Sequence, residues 1–370
     1  MLKTTVLLEN LKNGISFAHH AVSSRSPLPI LLNFLLEAKD GALTVSATDL
    51  EIGIRAKIPA KVEEEGAITV SAKTFLDLVS SIDQEKIELE EKEGKLFLRA
   101  SGLKTQLPTI NAAEFPKLYE EKGQKQASFA TDQLTKDLSK IVFAAASDVS
   151  RPALSGVLIK KENKGISLVA TDGYRLSLKK ESSLGEVAKG SRDALLIPAR
   201  VIKELLGVKS ENKEASLFIN SSSSQALFEI GDIEIVGRLI EAEYPDYQKI
   251  IPEDATTISS FDRIEAQSAV RTCSVFAREA ANIVKMGIGK DKIVFSASAS
   301  SVGENEVEID AKTSGEENEI AFNARYLLEL LSNIDDEVVS FEMTGPLNPG
   351  VFKTEGDKSF LHLIMPIRIQ

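Results

Sequence analysis

The sequence predicts an α+β fold built from three tandem copies of one domain, each with two helices and about eight strands. Three observations lead there. An apolar strand running into Ala-Thr-Asp occurs at 43–55 and again at 166–178, with a degraded copy at 293–299 that resumes at 307–311. Ala47, Ala170 and Ala297 are therefore equivalent, 123 and 127 residues apart. A second motif, a short strand, a turn and an amphipathic helix, follows each first one at 68–79, 196–206 and 320–331 and places Ala72, Ala199 and Ala324 in register, 127 and 125 residues apart. A third marker, Glu-aromatic-Pro, closes a unit at Glu114-Phe115-Pro116 and at Glu243-Tyr244-Pro245. Two motifs that keep one order and nearly one period indicate repeated supersecondary units.

The elements follow in order within each unit. A helix opens each copy, over 8–22, 131–146 and 260–280, and a second one follows each turn, over 72–82, 198–209 and 323–335. Their apolar residues recur at i, i+3 and i+4, so one face of each is buried. Strands fill the remainder: Ile87-Glu88-Leu89-Glu90 and Lys95-Leu96-Phe97-Leu98-Arg99 alternate with period two, which buries one sheet face. Helices covering one face of antiparallel sheets make an α+β layer. The polar stretches near Glu121-Lys122-Gly123 and Pro252-Glu253-Asp254 set expected domains of 1–124, 125–252 and 253–370.

Composition narrows the function classes. The 370 residues are 43% hydrophobic and 27% charged, ordinary for a globular chain and too long for one core. No run of eighteen apolar residues is present, so a membrane-spanning helix is not expected. Met1-Leu2-Lys3-Thr4-Thr5 lacks a basic stretch leading into an apolar block, so no secretion signal is expected. A single cysteine, Cys273, and three histidines leave no internal disulfide and little for a metal cage, which fits a cytoplasmic home and no cofactor.

Charge is unevenly placed. The chain carries −11, yet the six expected helices hold eleven Lys and Arg against ten Asp and Glu, so everything else carries about −12. Neutral-to-basic helices beside acidic sheets give two electrostatically different faces, one of which can hold a phosphate backbone without reading its sequence. The competing reading is that Lys and Arg are simply good solvated helix formers.

The residues resemble a known family. Arg25 to Leu31, Ala170-Thr171-Asp172-Gly173-Tyr174-Arg175-Leu176, Phe322 to Leu328, and the ending His362-Leu363-Ile364-Met365-Pro366-Ile367-Arg368 are similar to the bacterial DNA polymerase III beta subunit, the replicative sliding clamp, over the whole length. The resemblance implies three DNA-clamp domains forming half of a closed ring, two subunits joined head-to-tail as a homodimer, and double-stranded DNA passing through a helix-lined channel without sequence specificity. It implies a non-catalytic processivity factor, with the replicative polymerase, clamp loader and repair proteins as partners and no membrane association. Expected DNA contacts are Lys12, Arg25, Lys136, Lys140, Arg200, Lys203 and Arg271. For each lysine singly, a solvated side chain remains the alternative.

The family's cleft for short hydrophobic partner peptides maps onto Leu154, Thr171, Gly173, Tyr174, Arg175 and Leu176 of the second domain, with Pro245, Lys249 and Ile250 from its end. Asn323, Tyr326, Leu347, Pro349, Leu363, Ile364, Met365, Pro366, Ile367 and Arg368 complete it from the third. Apolar side chains and a flexible Met suit an adaptable pocket, with Asn323 and Arg175 placed to orient a peptide. Ordinary core packing is the alternative for Leu154, Leu176 and Ile250. Ring closure is expected between Lys73, Leu103, Lys104 and Leu107 of one subunit and Glu304, Glu306 and Glu308 of the next.

Two rivals differ in class. An enzyme would pair Asp49 with Asp172, but these stand in separate copies, and Asp after an Ala-Thr strand end is more simply a turn residue. No phosphate-binding loop or metal spacing supports catalysis. A ring-like scaffold that binds peptides without DNA is the second rival, and it has no need for helices more basic than its sheets.

Overall fold

The computed structural model describes residues 2–368 except 24, 149, 163–164, 183–191 and 210–211. Six α-helices and 24 strands are present among them. The helices are α1 (Leu8–Ala18), α2 (Ala72–Ser81), α3 (Thr131–Val142), α4 (Ala199–Leu206), α5 (Arg263–Ala277) and α6 (Ala324–Ser332). Each repeat contributes two helices and eight strands, in the same order. The fold class is the one the repeats predict.

Helix ends depart from periodicity where a local hydrogen bond decides. The stretch 260–262 belongs to the strand Thr257–Asp262, because the Asp262 carboxylate accepts from the Glu265 amide at 2.8 Å and starts α5 there. Asn323 does the same for α6, accepting from the Arg325 amide at 2.9 Å. Each cap satisfies an amide that the helix itself cannot.

All strand pairings are antiparallel. In the first repeat, Lys3–Leu7, Lys86–Lys92, Lys95–Ala100 and Leu103–Ile110 form one four-stranded layer. Gly66–Ser71, Asn33–Lys39, Ala42–Thr48 and Ile52–Glu64 form the other. Ile52–Glu64 then continues into Ile233–Arg238 of the second repeat, giving a sheet of 12 strands. A second 12-stranded sheet is made likewise, with Arg175–Ser182 of the second repeat paired to Phe360–Ile364 of the third. By its contacts the chain divides into two compact units, Met1–Asp132 with Lys203–Leu239, and Gln133–Leu184 with Arg192–Ile202 and Ile240–Gln370. Each unit holds one long sheet.

The Ala-Thr-Asp motif is a turn, and its chemistry is the same in both copies. Thr48 Oγ1 donates to the Ile52 carbonyl at 2.8 Å, and the Asp49 carboxylate accepts from the amides of Glu51 and Ile52. Thr171 donates to the Arg175 carbonyl at 2.6 Å, and Asp172 accepts from Tyr174 and Arg175. Side chains of this kind substitute for backbone partners in tight turns. Both aspartates are thereby occupied as turn residues. The turn needs a left-handed residue, supplied by Gly173 at φ +91° but by Leu50 at φ +76° in the first copy.

The core lies between helices and sheets. Gly14 lets α1 approach the strand Ile52–Glu64, since a Cβ there would stand 2.6 Å from Ile58 Cδ1. In the second unit, a polar network is buried between repeats. The Lys140 ammonium lies 3.4 Å from Asp336 and 3.3 Å from Asp357, and Lys179 donates to Asp357 at 2.6 Å. Asp137, itself buried, is reached by Ser182 and by Gln133. Burial alone would raise the Asp357 carboxyl, but Lys179, Ser359 and Lys140 hold it down at about 2.

A depressed acid stabilises the fold above its unfolded titration range, and the contribution is lost as pH falls through the folded value. Asp357→Asn is therefore expected to lower stability by about 2–3 kcal/mol at neutral pH, by stranding buried ammonium groups. Urea unfolding from about pH 5 down to about pH 2 should show the gap between variant and parent closing.

Candidate functional site

The expected peptide-cleft residues come together in the second unit, where the second and third repeats share a sheet. Register pairs Arg175 with Ile364 and Leu176 with Leu363, and the Met365 amide donates to the Tyr174 carbonyl at 2.8 Å. The floor beneath is a single apolar cluster of Leu158, Val169, Leu176, Leu178, Leu196, Tyr247, Val351, Leu361 and Leu363. Tyr244 and Ile251, from the segment linking the repeats, pack against it. Gly173 faces Leu154, whose Cδ1 would lie 3.8 Å from a Cβ there. Above the floor, Tyr174, Ile250, Leu347 and Met365 are exposed large apolar side chains, four of the twelve in the described chain. Exposed apolar side chains, where they form one patch, mark interaction sites. Pro245 and Lys249 are exposed at the same rim, and Pro349, Pro366 and Ile367 are half-buried. Arg368 is exposed beyond them.

Several expected contact residues have other work. Leu176, Leu363 and Ile364 are fully buried, and Thr171 is buried in its turn, so they build the floor and do not line it as free surface. Arg175 is 4% exposed. Its guanidinium bonds Asp172 at 3.1 Å, Glu329 at 2.5 Å and the Phe143 carbonyl at 2.7 Å, and lies 4.5 Å above the Tyr326 ring. Asn323 Oδ1 caps α6. Arg175 thus holds the repeats together at this junction: a buried charge requires partners, and the fold supplies them. Glu329 illustrates this. Burial would raise its carboxyl, but bonds from Arg325 and Arg175 outweigh burial and lower it. Behind the floor, His362 is buried, stacked on Phe143 and bonded to Ser177 Oγ at 2.6 Å. Burial, reinforced by the Arg175 charge, holds this imidazole well below its usual value and keeps it neutral.

The expected DNA contacts separate into two groups. Arg25, Lys136, Arg200, Lys203 and Arg271 are exposed, the last four on helices α3, α4 and α5. Lys140 is not a surface residue, with its side chain 2% exposed inside the Asp336–Asp357 network. It lies on the inner side of α3, one turn from exposed Lys136. Lys12 is half-buried and donates to the Ile82 carbonyl at 2.7 Å, closing the end of α2.

Apart from Lys73, on α2, the expected interface residues lie on two strand edges. Leu103–Ile110 pairs with Lys95–Ala100 on one side, and on the other meets Gly66–Ser71 only at Thr109 and Ile110. Lys73 and Lys104 are exposed and Leu103 is half-buried, while Leu107 belongs to the core. The strand Gly303–Gly315 pairs with Lys292–Ala299 through residues 303–310, and only its far half, from Ala311, meets Thr257–Asp262. Glu304, Glu306 and Glu308 alternate along the 303–310 half, which Thr257–Asp262 does not meet, and are all exposed, Glu308 being 2.6 Å from Lys292. Residues missed from the sequence are those of the linking segments, Phe115, Leu118, Tyr244 and Tyr247, which cover each inter-repeat sheet; the Glu-aromatic-Pro marker was their signal.

Three two-layer repeats joined by continuous sheets define the clamp class of α+β proteins. The chain matches the domain models of the DNA polymerase III beta subunit in order: N-terminal domain over 2–119, central domain over 128–246 and C-terminal domain over 248–368. It belongs to that family. It is 27% identical to the beta sliding clamp of Chlamydia muridarum over 369 residues, 100% of this chain and 99% of the relative. It is 28% identical to that of Synechococcus elongatus over 377 residues, all of both. Its structure is similar to the DNA polymerase III beta subunit of Thermotoga maritima (TM-score 0.91, 27% identity) and to the DNA polymerase sliding clamp of Bacillus subtilis (TM-score 0.92, 26% identity), over 100% of each chain.

Burial distinguishes floor from rim experimentally. Arg175→Ala strands Asp172 and Glu329 and should cost about 3–5 kcal/mol in chemical unfolding. Met365→Ala, at an exposed position, should stay within about 0.5 kcal/mol of the parent.

Proposed function

We propose that the chain is a DNA sliding clamp: a non-catalytic processivity factor that closes into a ring around duplex DNA and tethers the replicative polymerase and other replication and repair proteins. The observation that carries this reading is the pair of open strand edges of opposite charge, Lys104 beside 103–108 and Glu304, Glu306 and Glu308 along 303–310. An open edge offers unpaired amides and carbonyls to another chain. Two such edges on one chain make a heterologous contact that closes into a ring when the rotation permits. Charge complementarity favours the head-to-tail orientation and opposes like edges meeting.

A closed ring holds DNA by topology, so its contacts can be weak and sequence-blind. Exposed Lys136, Arg200, Lys203 and Arg271 on helices suit this, while the chain's net charge of −11 discourages binding elsewhere on its surface. The apolar rim of Tyr174, Ile250, Leu347 and Met365 suits short hydrophobic motifs carried by polymerase, clamp loader and repair proteins. The ring-like scaffold without DNA is disfavoured by those helix cations.

Loaded protein is expected to persist on nicked circular DNA and to be lost within minutes once the circle is linearised. Equal loss from both forms, followed by gel filtration, would remove the topological mechanism. Lys73→Glu with Lys104→Glu should weaken the dimer at least tenfold in analytical ultracentrifugation at low salt, and adding Glu304→Lys with Glu306→Lys should recover most of that affinity.

A further inference from the structure

The peptide cleft has an internal counterpart. In the first unit, Ile52–Glu64 pairs with Ile233–Arg238 in the register that Arg175–Ser182 keeps with Phe360–Ile364. Even the hydrogen bond at the rim is repeated: the Arg238 amide donates to the Glu51 carbonyl at 3.3 Å, as Met365 does to Tyr174. Both junctions have an apolar cluster covered by a linking segment, Phe115 and Leu118 in one, Tyr244 and Tyr247 in the other. By geometry alone, each chain offers two places for a peptide.

Side chains make them differ. The cross-strand pair at the centre of the cleft floor is Leu178 opposite Leu361, and the same pair in the first unit is Arg55 opposite Glu234. Arg55 lies 3.1 Å from Glu234 and 2.7 Å from the Tyr119 hydroxyl, which itself donates to Glu234 at 2.7 Å. The guanidinium covers the Tyr119 ring at 4.9 Å, and Lys122 reaches Glu234 at 2.9 Å and also bonds Glu229. Burial first, then the bond to Glu234, pushes the Tyr119 phenol up to about 12, so the hydroxyl keeps its proton. This network holds the linking segment down. Leu118 consequently sits against Gly53, where a Cβ would lie 2.7 Å from its Cδ2; the corresponding strand position in the cleft is Leu176. At the rim, exposed Glu51 and Arg238 stand where the cleft has Tyr174 and Met365.

We propose that the Arg55–Glu234–Tyr119–Lys122 network, with the Glu51 and Arg238 charges, shuts the first junction to apolar peptides and so restricts the chain to one partner-peptide site. An incoming leucine there would have to break charge-assisted bonds and bury unpaired ions, a heavy penalty that the leucine-lined second junction does not impose. The inference rests on the cleft reading above.

The test uses the full chain and a synthetic fluorescent hexapeptide with leucine at alternate positions. Calorimetry on the parent is expected to give one peptide per chain, and a photoreactive version should label the Tyr174–Met365 junction alone. The variant Arg55→Leu/Glu234→Leu/Tyr119→Gln with Glu51→Tyr/Arg238→Met should take two. A folded variant that still takes one overturns the proposal, as does labelling of the first junction in the parent. Should that variant fail to fold, the exposed pair Tyr174→Glu/Met365→Arg carries the test: it should weaken peptide binding at least tenfold, and unchanged affinity overturns the role given to rim charge. A parent that binds no peptide at all overturns the cleft reading itself.

Discussion

Everything in this molecule depends on covering the edge of a β-sheet. The strand after each Ala-Thr-Asp turn would expose a row of amides and carbonyls, and the last strand of the following repeat takes them up. An uncovered edge is a liability in water because any extended chain can pair with it. Joining repeats by backbone bonds satisfies that edge and fixes register, since a slip of one residue would turn every buried side chain outward. The turn that precedes the strand is held by Thr and Asp side chains in both copies, so strand direction is fixed by local bonds as well as by the long-range pairing.

That joint also produces the surface proposed to take peptides. A sheet running across two repeats needs a cover where their helices do not reach, and the linking segments supply it with Phe115, Leu118, Tyr244 and Tyr247. Where the cover is pinned by ions, the surface is closed. Where the cross-strand pair is leucine on leucine, apolar rim residues remain open to solvent. Arg175 shows how the open junction is kept rigid: its three guanidinium nitrogens donate one each to Asp172, Glu329 and a backbone carbonyl, which preorganises the floor under an adaptable rim containing Met365.

Charge at the junctions between repeats follows one rule in each unit. Lys140, Lys179, Asp137 and Asp357 in one network, and Arg55, Glu234 and Lys122 in the other, join elements from different repeats. Such ions add less stability than apolar residues of the same volume would, but they penalise misalignment severely, because each misplaced partner leaves an unpaired charge. They are suited to setting how repeats meet.

The sequence by itself determined the number of repeats, the class of fold, and the turn role of Asp49 and Asp172. Those rest on local pattern: period-two strands, helices with one apolar stripe, and motifs recurring at one interval. It did not determine which members of each motif face solvent. Lys136 and Lys140 are one helical turn apart and read alike as solvated cations, yet one is exposed and the other sits between two aspartates some two hundred residues away. Arg175 and Asn323 read as free polar groups, but a cap and a buried ion cluster claim them. Only the tertiary structure decided these, because a side chain's fate depends on partners brought near by sheet pairing across repeats, and that pairing has no expression in local periodicity.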